Sequence, residues 1–166
     1  CCGTGRQCIL LHSLGIRAVG VDLSRGMLSV AKKKSQSSVS YLRQDVANLG
    51  FRDHSFQAIV ICLALHEKSP GKREAILEQA MRVLAPRGRL FLLDFAPPAG
   101  PAGRAMRLAI AGVERLAGRG HYANYRSYIR AGGLPGITAG FPLKREKGGI
   151  CFWGGNMELA VFSPQE

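Results

Sequence analysis

The sequence predicts a three-layer α/β fold with a mostly parallel sheet, and three observations carry that prediction. The chain opens on Cys1-Cys2-Gly3-Thr4-Gly5-Arg6, a glycine turn that runs into an apolar helix over 8–14. Glycine lets a ligand approach the backbone and takes positive φ, while the helix beyond it aims free N–H groups at the turn. Gly15 then stops the helix, 18–21 reads as a buried strand, and Asp22 closes it 19 positions after Gly3. In a nucleotide-binding βαβ unit an acid at that distance meets a ribose diol. Finally, the continuous apolar runs 58–63 and 90–95, separated by helical periodicity, suit parallel strands buried on both faces.

Each further element follows from local pattern. Ser24 caps a helix whose apolar stripe is Met27, Leu28 and Ala31 and whose last turn is Lys32-Lys33-Lys34. After a polar loop over 35–38, residues 39–43 alternate as a strand that leads into Gln44-Asp45-Val46; Asp45 would otherwise cap a short helix over 46–49. The strand 58–63 ends in Ala64-Leu65-His66-Glu67, at the edge where open α/β sheets bind their ligands. Residues 72–84 place Ala75, Ile76, Leu77, Ala80, Met81 and Leu84 at helical spacing, and Pro86-Arg87-Gly88 ends that helix before the strand 90–95. A Pro/Gly linker over 97–103 precedes an amphipathic helix over 104–117 and a second helix over 121–134, stopped by Gly132-Gly133. The end reads as an antiparallel hairpin: a strand over 137–147, a turn at Gly148-Gly149, a strand resuming at 150–153, and a last strand over 157–162 after Gly154-Gly155-Asn156.

Composition bounds the function. The 166 residues fit one domain, 1–166, with a sizeable core, and no apolar run reaches the length of a membrane span. Five cysteines, an odd number, suit free thiols in a reducing cytoplasm better than a disulfide framework. Cys1, Cys2 and Cys8 lack C-x-x-C spacing and a nearby histidine pair, so no metal site is predicted. The net charge of +12 would permit nucleic-acid binding, yet the basic residues are scattered and many close helices, so a small-molecule substrate is the expected partner.

The opening loop, Asp22, Asp45, the strand ending Ala64-Leu65-His66-Glu67 and the run 82–95 (R-V-L-A-P-R-G-R-L-F-L-L-D-F) stand in the order and spacing of a known family. Over residues 1–97 the chain resembles the class I S-adenosylmethionine (SAM) dependent methyltransferases, close to the type 11 and quinone-biosynthesis members. That resemblance implies a Rossmann-like methyltransferase fold, SAM as cofactor, and methyl transfer to a small, partly hydrophobic acceptor. It places Cys1, Cys2, Gly3 and Gly5 in the cofactor loop, Cys1 standing where the family has its first glycine. It puts Asp22 on the ribose with Leu23 and Met27 beside it, Asp45 on the adenine amino group with Val46 over the ring, and Leu63 at the end of the next strand against the cofactor. It also implies that the helical segment of about 100–134 lids the substrate, with Tyr122 and Tyr125 as its walls. The family's acid two places before the loop would precede residue 1, as would the first strand, so the sequence reads as a fragment lacking that strand.

His66 is the predicted catalytic residue and also a substrate contact. Imidazole titrates near neutrality and can accept a proton from a nucleophile; the alternative is that His66 only packs beside the cofactor's methionine moiety or hydrogen-bonds a loop. Two other readings stay open. An NAD-dependent oxidoreductase would want glycine where Cys8 stands. A non-catalytic fragment would keep the methyltransferase fold alone.

Overall fold

The structure is a computed structural model that describes residues 1–36, 38–97, 100–146 and 149–165. It forms two compact units, Cys1–Gly50 and Phe51–Glu166.

The first unit is a βαβ arrangement. Helix α1 (Arg6–Ser13) is followed by strand β1 (Val19–Asp22), helix α2 (Arg25–Ser35) and strand β2 (Ser40–Arg43). β1 and β2 pair in parallel, with Asp22 opposite Arg43. Gly15, at φ 76, closes α1 as predicted, its amide bonding to His12 O while Ile16 N reaches back to Leu11 O. Ser24 caps α2 through a bond from Met27 N. A small core of Cys8, Leu28, Ala31, Val39 and Tyr41 holds the helices on the pair. After β2 the chain makes a turn and no helix: Asp45 Oδ1 accepts from Ala47 N at 3.0 Å, an Asx turn that uses the acid where a helix over 46–49 would have used it as a cap.

The second unit is built on a mixed sheet. Its elements are strand β3 (Phe56–Cys62), helix α3 (Pro70–Val83), strand β4 (Leu84–Phe95), helices α4 (Gly100–Leu116), α5 (Arg119–Arg130) and α6 (Gly133–Thr138), and strands β5 (Leu143–Arg145), β6 (Ile150–Phe152) and β7 (Met157–Pro164). The sheet order is β3-β4-β7-β5, with β6 also on β7; β3 and β4 are parallel and every pairing of β7 is antiparallel. Leu65, Leu77, Leu84, Leu90, Leu92, Leu134 and Tyr128 are fully buried, each leucine stabilising the fold by about 1.5–3 kcal/mol.

Several boundaries differ from the sequence reading. β4 begins directly at Leu84, which pairs with Phe56; the ladder then skips to Arg89 opposite Ala58, so Pro86-Arg87-Gly88 forms a bulge. Proline, without an amide, is tolerated there because the bulge needs no donor. α4 starts at Gly100 and takes Pro101 into its first turn, where prolines fit, so the expected linker is shorter; Pro98 and Ala99 lie outside the described residues. Where a strand over 137–147 was expected, Gly132 and Gly133, at φ 93 and 67, restart a helix instead. Leu134 and Thr138 bury its inner face, and Thr138 Oγ1 donates to Leu134 O. β5 is consequently only three residues long and pairs with β7 alone, while β6 and β7 form the expected antiparallel hairpin across the turn at Trp153–Gly155. Gly148 of the expected turn lies outside the described residues.

Candidate functional site

In the first unit the opening turn is tied to the end of β1. Asp22 Oδ2 accepts from Gly3 N at 2.8 Å, and Oδ1 accepts from Ser24 N at 3.0 Å. Burial pushes the Asp22 carboxyl upward, but the amides of Ser24 and Gly3 outweigh it and hold the group below the usual aspartate value of 3.8. Each carboxylate oxygen keeps lone-pair capacity for a further donor. Gly3, at φ 52, has open space where a side chain would stand, whereas a Cβ on Gly5, at φ 75, would come within 2.9 Å of Ala31 Cβ. One glycine therefore leaves room and the other permits close packing. Cys2 N bonds to Val21 O at 2.8 Å, and its side chain packs on the cluster containing Cys8, while Cys1 is exposed. Leu23 and Met27 are about half exposed beside Asp22, and Gln44 N bonds to Asp22 O, which brings the Asp45-Val46 turn to the same strand edge. Cys1, Cys2, Gly3, Gly5, Asp22, Leu23, Met27, Asp45 and Val46 are thus gathered within this unit.

In the second unit, Leu63 follows β3 at φ 50, half exposed, its amide bonding to Leu93 O. His66 is buried. Its Nδ1 lies 2.6 Å from Asp94 Oδ1 at the end of β4. Asp94, 1% exposed, also accepts from the amides of Leu65, His66 and Phe95. An acceptor-only carboxylate so held makes Nδ1 the donor. Nε2 faces Glu114 of α4, 3.9 Å away, and Glu114 Oε2 in turn lies 2.5 Å from His121 Nε2 of α5. Phe95, Tyr125 and Tyr128 ring His66 with edge-on contacts at 4.7, 6.4 and 6.5 Å between centroids. Tyr122 stacks on Tyr125, one step further out.

Helix α5 is clamped to the His66 loop. The buried Arg73 of α3 donates from Nε to Leu65 O and from Nη2 to Asn124 O, while Asn124 Nδ2 donates to Glu67 O at 2.8 Å. Sequence reasoning missed Asp94, Glu114, His121 and Arg73. Asp94 alone had a local signal, an acid inside an otherwise apolar strand. The other three reach His66 or its loop only through tertiary packing. Among the described residues, His66, Glu114 and His121 are the group whose ligand atoms converge closely enough to hold a cation, within 4.8 Å of one another.

No helix among the described residues is long and apolar enough to cross a membrane. The family profile described as methyltransferase domain matches residues 1–88. A demethylmenaquinone methyltransferase of Thermus thermophilus is 35% identical over 101 residues, 58% of this chain and 45% of that protein. A 2-phytyl-1,4-naphtoquinone methyltransferase of Nostoc punctiforme is 32% identical over 115 residues, covering 64% and 49%. The chain therefore spans less than half the length of these curated relatives. Among solved structures, the PH0226 protein of Pyrococcus horikoshii superposes with a TM-score of 0.73 at 21% identity, over 99% of this chain and 79% of that one. A SAM-dependent methyltransferase of Methanosarcina mazei gives 0.73 at 17%, over 99% and 90%. Both likenesses bear on the fold.

Proposed function

Because the chain belongs to the methyltransferase-domain family, we propose that it transfers a methyl group from SAM to a small, partly hydrophobic acceptor, as one domain over 1–166 with the helices of 100–134 covering the acceptor. The observation that carries the reading is the Asp22 carboxylate, fixed by Gly3 N and Ser24 N beside the open Gly3 turn. That arrangement fits a cofactor with a ribose diol: Asp22 would accept from its hydroxyls, Gly3 and Gly5 would let the backbone approach, and Asp45 with Val46, Leu23 and Met27 would line the adenosine. SAM, when bound, supplies an electrophilic methyl on a sulfonium leaving group.

In this reading His66 acts on the acceptor. Asp94 holds its Nδ1–H and orients the ring, so Nε2 is the atom that takes the acceptor's proton as its oxygen, nitrogen or carbon gains the methyl. Tyr125 and Tyr122 form an aromatic wall running outward from His66, and burial raises the Tyr125 hydroxyl, which keeps it a neutral donor. Arg73 and Asn124 fix α5 against the loop and so set the distance from that wall to the ring. The quinone substrates named for the relatives favour a flat hydroxylated aromatic acceptor. Five free thiols favour the cytoplasm as its place of work. The test is a transfer screen with methyl-labelled SAM over small aromatic, quinol and lipid-like acceptors, with RNA as control. Labelling of quinols or phenols is expected; labelling of RNA alone would overturn the small-molecule reading.

A further inference from the structure

Helix α4 is unusually bare. Among its residues whose burial is described, those buried are Gly103, Ile110 and Glu114, a single stripe facing α5 and the turn at Trp153–Gly155. The opposite stripe, Ala105, Leu108, Ala109, Gly112 and Leu116, follows i, i+3, i+4, i+7 and i+11 and contains no charge. Leu108 is 73% exposed, Val113 65% and Leu116 90%. A run of apolar side chains of this extent, rimmed by charge, marks a surface that meets something apolar.

The rim is cationic. Arg104, Arg107, Arg115 and Arg119 are exposed along or just beyond α4. Beside the apolar stripe, a cavity of about 380 Å³ between α4 and α5 is lined by Arg107, Leu108, Arg115, Tyr122, Arg126 and Arg130. The guanidinium groups of Arg115 and Arg126 sit over the Tyr122 ring at 4.7 and 5.8 Å. The ion pairs among the described residues engage other groups, and none neutralises these four arginines. The one tryptophan of the chain, Trp153, is 60% exposed in the turn that lies against α4 at Gly103.

We propose that α4 lies in the plane of an anionic lipid surface, with Leu108, Val113 and Leu116 among the acyl chains and the Arg107/Arg115/Arg126/Arg130 groove around lipid phosphates. An interfacial helix needs an apolar face to insert and cations at its flanks that can extend to the headgroups, and this helix has both. Charge complementarity selects this occupant over two others. A second copy docking α4 on α4 would set arginine rim against arginine rim. A nucleic acid would neutralise the arginines but leave the leucine stripe in water. The groove shares Tyr122 and Tyr125 with the proposed acceptor wall, so vesicle binding is read apart from methyl transfer.

Co-sedimentation tests it. The protein should pellet with vesicles of mixed phosphatidylglycerol and phosphatidylcholine and stay in solution with phosphatidylcholine alone. Rising salt should release it. Trp153 emission should shift to the blue on binding, as its ring leaves water. Leu116→Asp and Val113→Asp should abolish pelleting with the melting temperature and S-adenosylhomocysteine affinity unchanged, which separates surface docking from folding and from the cofactor site. Arg130→Gln should weaken binding about fivefold, the share of one cation near an anionic surface. Several results would overturn the proposal. They are equal binding to neutral vesicles; binding of inorganic phosphate or a short-chain soluble phosphatidylglycerol without vesicle binding; a dimer that Leu116→Asp makes monomeric while vesicles are ignored; and retention on RNA alone.

Discussion

The two units hold their acids in opposite ways. In the first, Asp22 sits at an accessible strand edge, kept ionised by two backbone amides of its own neighbourhood. In the second, Asp94 is buried among three amides and an imidazole, and its partners come from the loop after β3 and from its own strand. The first arrangement presents a fixed negative charge to a ligand. The second spends its carboxylate on orienting another side chain, with Glu114 of α4 and Tyr125 of α5 beside that ring. An acid held by backbone amides and an acid held among packed side chains therefore occupy separate parts of the chain.

The largest expected effect breaks the second arrangement. Asp94→Ala strips three buried amides and His66 of their acceptor, and a buried donor left without a partner costs about 1–3 kcal/mol. Thermal or urea unfolding should show that loss, while S-adenosylhomocysteine affinity per folded molecule stays the same. A stability within experimental error of the parent would mean that Asp94 is not the anchor its hydrogen bonds describe. His66→Ala is milder for folding and should act on turnover: a kcat roughly a hundredfold lower, the usual worth of a general base, with cofactor affinity unchanged. Weakened cofactor binding instead would move His66 to the cofactor side and dissolve the division between the units.

The matching perturbation of the first unit is Asp22→Ala, which should weaken SAM binding by about 1–3 kcal/mol, the range for lost hydrogen bonds to a charged group. Unchanged affinity by calorimetry would remove the cofactor assignment. Gly5→Ala sharpens the same point through the backbone. A side chain there must adopt φ 75 and meet Ala31, so a cost of about 1–3 kcal/mol in stability is expected. A wild-type melting curve would show that the turn relaxes freely.

The contrast also explains what could be read in advance. Gly3 and Asp22, 19 positions apart, are joined by one helix and one strand, and local pattern is enough to bring them together. The α1-β1-α2-β2 order, the Ser24 cap and the strands β3 and β4 are legible for the same reason, but burial is not: β3, expected to be buried on both faces, stands at the end of its sheet with Gln57 and Ala58 exposed and the rest only half-buried, and in β1, also expected to be buried, Val19 is exposed. His66 was legible as a residue and illegible as a site, because its partner Asp94 stands 28 positions away and Glu114 belongs to a helix whose start was misplaced. The boundary errors share a cause. Local pattern makes glycine and proline stops at 97–103 and 132–133, yet Pro101 stands in the first turn of a helix and Gly132-Gly133 begins one, since both residues fit a first turn as well as a last. The clamp of Arg73 and Asn124, 51 positions apart, leaves no trace in local sequence.

The smallest expected effect is an acid titration of cofactor affinity. Burial raises the Asp22 carboxyl and the Ser24 and Gly3 amides lower it further than burial lifts it, so its folded value lies below the 3.8 of the unfolded chain. A depressed carboxylate contributes stability that is fully present above 3.8 and is lost only as pH falls through the lower folded value. The same proton removes the charge that would accept from a ribose. Affinity for S-adenosylhomocysteine should therefore be flat in its Asp22 contribution from neutral pH down to 3.8 and decline below it, and Asp22→Asn should abolish that decline while lowering affinity throughout. A decline that begins well above the usual aspartate range and persists in Asp22→Asn would assign the acid sensitivity to another group and leave the open edge of the first unit without its fixed charge.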